Sequence, residues 1–215
     1  MKITRGPDPG PFNQPRDYKR KYKPFLRQLF QCRCAYCQTH DDQFGGEDGA
    51  TLDHFKPEHR FPELCFTWSN LYYACVVCNC HYKKQHPTPD EEAQGKRFVD
   101  PCVEDPDDHF RMVRDKSINS FSRILPLSTA AEYTVFRLKL NDRKLLRDYW
   151  RSVDDSEQRL TTRLSELEIC IGTCAVLAGQ LNDSQVTSLR SDYESQKRHC
   201  VEELEHLRSR CPFPI

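Results

Sequence analysis

Cys34-Ala35-Tyr36-Cys37 and Cys75-Val76-Val77-Cys78-Asn79 decide the reading of this chain. Each C-x-x-C turn offers two thiols on one tight bend, and zinc prefers four thiolates in a tetrahedron. Two such knuckles in one short module close the shell. Cys34, Cys37, Cys75 and Cys78 are therefore expected to hold a structural Zn²⁺. That chelate ties a long loop, which a module with little core of its own needs. Cys32 and Cys80 each lie two residues from a knuckle cysteine; they can substitute as ligands, but read better as spare thiols. Cys65 and Cys102 read as incidental.

The 215-residue chain has twelve cysteines, seven of them between Cys32 and Cys80. Such clustering favours metal over disulfides in a reducing compartment. Cys170, Cys174, Cys200 and Cys211 fall instead in helical pattern. Apolar residues make up 37% and charged residues 30%, which excludes a disordered chain and fits a globular one with much exposed helix. A formal net charge of zero excludes a uniformly basic nucleic-acid binder, so any such surface must come from local clustering. The longest apolar stretch, Ile169 to Gly179, is interrupted by Gly172 and Thr173 and is too short to span a bilayer. Lys2, Arg5 and Asp8 leave no apolar core for a signal peptide. A cytoplasmic location is expected.

Four regions follow. Residues 1–30 read as an N-terminal arm and short helix, 31–90 as the zinc-braced module, 91–127 as an irregular connector and 128–215 as helical. Pro7, Pro9, Pro11 and Pro15 with Gly6 and Gly10 mark the extended arm. Arg16, Lys19, Arg20, Lys21 and Lys23 alternate with Tyr18 and Tyr22 in a basic aromatic patch, either a solvated face or a phosphate contact. Pro24 is placed to start a helix through Phe25, Leu26, Leu29 and Phe30. Residues 50–55 read as a strand entered through turns at Gly45-Gly46 and Asp48-Gly49, and a short helix follows the second knuckle. The connector, broken at Asp100-Pro101 and Asp105-Pro106, is expected to carry a hairpin near Ile118 to Ile124.

From Ser128 the pattern turns helical. One helix covers 128–139 and ends near Asn141. A longer one carries Leu146, Tyr149, Val153, Leu160, Leu164, Leu167, Ile171 and Cys174 at three-four spacing. Gly179 to Asn182 breaks it, and Asp183 or Ser184 caps a last helix with Val186, Leu189, Tyr193, Cys200, Leu204 and Leu207. The two long helices are expected to pack as an antiparallel hairpin.

Between the knuckles stand Asp53-His54-Phe55-Lys56-Pro57 and then Asn70-Leu71. Phosphodiester cleavage needs an activated water, charge relief at phosphorus and stabilisation of the leaving oxygen. An imidazole titrates near neutrality and can take the water's proton, which suits His54 to general base. A hard cation such as Mg²⁺ prefers oxygen ligands and keeps several waters; Asp53 offers a carboxylate and Asn79 an amide oxygen. Neighbours on a regular strand point to opposite faces, so Asp53 and His54 share a site only if the strand ends or bulges there.

The order D-H-x-x-P, N-L, C-x-x-C-N resembles the HNH (ββα-metal) endonuclease family in its four-cysteine zinc subtype. The resemblance implies an α+β fold: a small ββα-metal module, here with an N-terminal arm and a C-terminal helical hairpin. It implies that Asp53 and Asn79 hold a catalytic Mg²⁺ or Mn²⁺, that His54 is the base, and that Asn70 orients the catalytic loop by hydrogen bonding. The family usually has Lys three residues after its last His or Asn. That position here is Tyr82, with Lys83 and Lys84 following. Lys83 is taken as the phosphate contact and His81 as a second choice. His81 and His86 also read as solvated helix-end residues, and His59 and Arg60 as phosphate-facing or plain surface. Asp105, Asp107, Asp108 and His109 read as a solvated acidic turn in preference to a second metal site.

His54-Phe55-Lys56-Pro57…Arg60-Phe61-Pro62-Glu63-Leu64, Asn70-Leu71-Tyr72, Phe98-Val99-Asp100-Pro101, Asp105-Pro106, His109-Phe110 and Thr134…Leu138…Leu140-Asn141 are similar to one HNH subgroup. That subgroup includes retron-linked nucleases and the nuclease subunit of Septu-type antiphage systems. It implies a DNA substrate, a bacterial defence setting and a partner ATPase, with the C-terminal helices as a surface for that partner or for self-association. Two other readings stay open: a non-catalytic zinc module that binds nucleic acid or protein, and an RNA-directed or toxin-type nuclease using the same residues.

Overall fold

The computed structural model describes residues 2–10, 12, 14, 17–83, 86–115, 121–181 and 184–209. The expectations placed on Pro11, Pro15, Arg16, Lys84, Asn182, Asp183 and Cys211 lie outside the described residues, as does the turn of the second hairpin. The fold mixes α and β, with two small antiparallel sheets and a C-terminal helix pair. Two compact units divide between Arg147 and Asp148.

In the first unit, helix α1 (Tyr18–Leu29) opens the ordered body. It begins six residues before Pro24, which lies inside it, so the expected start at Pro24 is corrected. An interior proline removes one backbone hydrogen bond and crowds the preceding turn. The helix persists because Tyr18, Tyr22 and Leu26 fall at four-residue intervals and are all buried. From Tyr18 on, the basic patch is therefore helical, with Lys19, Arg20 and Lys21 on its exposed side.

Strand β1 (Ala50–His54) pairs antiparallel with β2 (Leu71–Cys75), setting Asp53 opposite Tyr72 and His54 opposite Leu71. Gly49 makes the entry into β1 possible: a Cβ there would stand 1.6 Å from the Phe44 carbonyl oxygen. Every residue of β2 is buried. Its Tyr73 hydroxyl donates to Asp41 at 2.8 Å on one face, and its Tyr72 hydroxyl donates to Asp100 at 2.6 Å on the other. Arg5 of the arm donates to the Trp68 and Leu71 carbonyls and lies over the Tyr72 ring, which holds the arm against this hairpin.

After β2 the chain makes one π-helical turn (Val77–Tyr82). A short helix α2 (Pro89–Ala93) follows, started by a Thr88–Glu91 capping box. The second hairpin joins β3 (Phe110–Asp115) to β4 (Phe121–Pro126), longer and starting earlier than the stretch 118–124 suggests. Phe110, Met112 and Ile124 are buried while Arg111, Val113 and Leu125 are exposed, the alternation of a one-sided sheet.

Helix α3 (Thr129–Arg137) is capped by the Ser128 hydroxyl, which accepts from the Ala131 amide. Past its end, Asn141 accepts from the Ile124 amide and donates to the Ile124 carbonyl, both at 2.9 Å, as a neighbouring strand would.

Helix α4 (Lys144–Leu181) belongs to the second unit from Asp148 on, where it runs antiparallel to helix α5 (Ser184–Ser209). Arg208 donates to Glu157 and Arg163 to Gln196, and Lys197 pairs with Glu168. Val153, Leu167, Cys174, Cys200 and Leu204 are buried. Gly179 does not break α4, which continues to Leu181 because a single glycine costs only about 1 kcal/mol in a helix. No helix among the described residues is long and apolar enough to cross a membrane.

Replacing Asn141 by Ala is expected to destabilise the first unit by about 1–3 kcal/mol, because it strips both polar groups of buried Ile124 of their partner. Urea unfolding of the two proteins checks this.

Candidate functional site

Four thiols from two distant segments converge. Cys34 and Cys37 lie beyond α1, Cys75 ends β2, and Cys78 sits in the π-helical turn. All four are buried, with their sulfurs within 4.8 Å of one another. Cys37 Sγ and Cys75 Sγ are 3.9 Å apart. A disulfide would put them about 2.05 Å apart, whereas Zn–S bonds near 2.3 Å imply a tetrahedral edge of roughly 3.8 Å. The group can hold a zinc ion.

Burial pushes the Cys34 and Cys78 thiols up, so their deprotonation needs a cation's charge. Arg143 supplies a second positive charge, with both terminal guanidinium nitrogens donating to Cys78 Sγ at 3.4 Å. Nothing in the sequence marks Arg143, sixty-five residues from its partner. Cys32 and Cys80 stay outside the cluster: Cys32 lies near His40 and Asp41, and Cys80 is exposed.

Beside this frame, Asp53, His54, Asn79 and Lys83 line one cavity of about 260 Å³, together with Lys19, His59 and His86. Asp53 and His54 reach it together because β1 ends at His54. His81 is exposed and does not line it.

His54 Nε2 lies 2.9 Å from the Cys65 carbonyl oxygen and 3.4 Å from the Tyr18 hydroxyl. A carbonyl only accepts, so Nε2 carries the proton and Nδ1 keeps the lone pair. Nδ1 is 3.9 Å from Glu58 Oε2. Burial raises the Tyr18 hydroxyl, with Cys65 adding to the effect, so Tyr18 stays protonated. Cys65 matters here through its backbone, which no reading of thiols detects.

Asn70 is buried and clamps the loop after β1. Its Oδ1 accepts from the Lys56 amide at 2.8 Å, and its Nδ2 donates to the Lys56 and Leu64 carbonyls at 3.0 and 3.2 Å. Asn79 Nδ2 donates to Thr51 Oγ1 at 3.0 Å, which leaves its amide oxygen as the group available to a cation.

Asp53 is buried and already partnered. The Tyr36 hydroxyl donates to Asp53 Oδ2; burial, and then the Asp53 charge, push that phenol well up and keep it protonated. Lys83 Nζ donates to the same oxygen at 2.7 Å and to the His54 and Phe55 carbonyls at 2.9 and 3.1 Å. Its side chain is 4% exposed. In this structure Lys83 therefore braces the end of β1 and does not present a free ammonium.

His86 is held below its usual range, first by burial and further by Arg60 and Lys83, against the Pro87 carbonyl and Glu92. It is a neutral imidazole on the cavity wall. His59 lines the cavity and is exposed, and Arg60 donates to the Pro87 carbonyl at 3.1 Å. Asp105 caps the Asp107 amide, and His109 bonds Ser128 and pairs with Glu104, so these acidic residues serve the local fold. The donor set of Asp53 and Asn79 suits a hard cation chemically, but the charge of Asp53 is met by Lys83.

No protein-family model and no solved structure matches the chain. It is 26% identical over 98 residues to the Septu protein PtuB of Bacillus thuringiensis. The aligned stretch is 42% of this chain and 34% of that protein, so the chain spans about a third of its relative's length.

Metal analysis of the purified protein is expected to find one zinc per chain. Cys78→Ser should lower that content and the unfolding temperature together. Zinc should also be lost as pH falls, because the thiolates take up protons when metal leaves. Full zinc content in Cys78→Ser would contradict the four-thiol site.

Proposed function

We propose that this chain is an HNH-type, metal-dependent phosphodiesterase acting on nucleic acid, DNA by preference. The observation that carries the proposal is the single cavity onto which Asp53, His54 and Asn79 open, with Asn70 clamping the loop beside them. Binding alone would not need a base, a carboxylate and an amide on one wall.

His54 Nδ1 is the group that takes the proton from water. The imidazolium so formed keeps its Nε2 hydrogen bond to the Cys65 carbonyl, which fixes the ring's orientation. Asn70 holds the loop from Lys56 to Leu64 and thereby the carbonyl of Cys65 that follows it. Asp53 and Asn79 would hold a Mg²⁺ or Mn²⁺ ion, which when bound supplies charge relief at phosphorus and at the leaving oxygen. Lys19, exposed on α1 and lining the same cavity, is placed to meet a neighbouring phosphate.

The likeness to the Septu protein PtuB supports an antiphage defence role. With it come two further parts of the proposal: a partner ATPase, and docking of that partner or a second copy on α4 and α5. Zero net charge predicts weak intrinsic affinity for DNA and suits recruitment by a partner.

The test is plasmid cleavage across a Mg²⁺ and Mn²⁺ titration, wild type beside His54→Ala. His54→Ala is expected to lose cleavage about 10²–10⁴-fold, the usual worth of a general base, while keeping its zinc. Undiminished cleavage by that variant would sink the mechanism. An RNA substrate run in parallel separates the two nucleic acids.

One observation favours the non-catalytic reading: Lys83 already neutralises Asp53. DNA retardation without metal-dependent cutting at any cation concentration would select it.

A further inference from the structure

We propose that Lys83 occupies the cation seat on Asp53 until a substrate phosphate draws it away, so that divalent-metal binding and phosphate binding are coupled. This rests on the hydrolytic reading above and says how its metal site is loaded.

An ammonium has three N–H donors. Those of Lys83 meet three oxygens, Asp53 Oδ2 at 2.7 Å and the His54 and Phe55 carbonyls at 2.9 and 3.1 Å. The rings of Tyr36, Phe55 and Phe98 enclose it at 5.2, 5.2 and 5.8 Å. An ammonium spent in this way has no donor left for a phosphate. A divalent ion on Asp53 would also face that ammonium at close range in a poorly solvated place, where like charges repel strongly. Metal and Lys83 thus compete for one carboxylate.

Phosphate resolves the competition. Metal beside Asp53 and Lys83 leaves the cavity with surplus positive charge, and a phosphodiester removes part of it. Lys83 and Asp53 both line the cavity that a phosphate would enter. Lys83 can exchange the carboxylate for a phosphate oxygen, an acceptor of the same kind. Asp53 is then released to the metal. By linkage, phosphate must tighten metal binding by the factor that metal tightens phosphate binding.

The experiment measures Mn²⁺ affinity of the zinc-loaded full chain, with free Mn²⁺ followed by electron paramagnetic resonance. Lys83→Met is expected to bind Mn²⁺ about tenfold tighter or more, and Lys83→Gln to follow it. Mn²⁺ should also raise the unfolding temperature of Lys83→Met more than that of wild type. Asp53→Asn should abolish the binding. If both Lys83 variants bind no tighter than wild type while Asp53→Asn still loses the ion, the lock is overturned and the metal site stands. If Asp53→Asn changes nothing in any protein, the hydrolytic reading falls as well. Should the Lys83 variants lose zinc or fold, wild type alone decides. A phosphorothioate duplex should tighten its Mn²⁺ binding about tenfold, and equal affinity with and without the duplex overturns the proposal.

Discussion

Closure of four thiols is the constraint on which the first unit depends. A two-stranded hairpin with five residues a side is marginal by itself in water, and the segments on either side of it carry little helix. The cysteine cluster joins the turn after α1 to the end of β2 and to the π-helical turn beyond. Once Cys75 and Cys78 are fixed, Asn79 and Lys83, one and five residues further on, have little freedom. The antiparallel register carries the same constraint across to Asp53, which stands opposite Tyr72. Metal binding at this cluster would then be coupled to folding, as wherever a loaded site exists only in the folded chain.

Parts of this arrangement are legible in the sequence and parts are not, for physical reasons. The knuckles are legible because zinc chelation needs a fixed local spacing. The strand at 50–54 is legible because turn glycines are a local demand; Asn70 is legible only through the family resemblance, since its partners Lys56 and Leu64 lie fourteen and six residues away. The extent of α1 is not: Pro24 signals a start, and only the burial of Tyr18 and Tyr22 against the rest of the unit overrides it. The role of Lys83 is not legible either. From spacing it is a cation near a metal motif; that it buries its head on Asp53 follows from the ring cage of Tyr36, Phe55 and Phe98, which comes from three separate segments. Arg143 and the Cys65 carbonyl escape sequence reading because one acts across the fold and the other through the backbone.

The histidine shows how much a neighbouring carbonyl decides. Had Nε2 faced a donor, the tautomer would reverse and Nδ1 would carry the proton. The Cys65 oxygen at 2.9 Å removes that freedom. Tyr18, kept protonated by burial, adds a hydroxyl oxygen on the same side. The ring is held by fixed dipoles, and among the described residues no charged partner sits within hydrogen-bond distance of it, since Glu58 stands 3.9 Å away. Fixed dipoles of this kind would need no reorganisation if the ring took up a proton as proposed.

A buried carboxylate without a counter-charge is costly, by several kcal/mol even after relaxation. Asp53 is 6% exposed, so its fold requires a cation at hand in every state. Two cations are compatible with its surroundings, an ammonium on a tethered arm and a divalent ion from solution. The tethered one is seated on Asp53 and on the end of β1; on the proposed reading the other would bring the chemistry. On the proposed reading such a site would exchange one for the other only when a further negative charge arrives to receive the ammonium. In a nuclease that charge is the substrate's own backbone. The same pair that stabilises the end of β1 would then keep the metal site closed until nucleic acid is present.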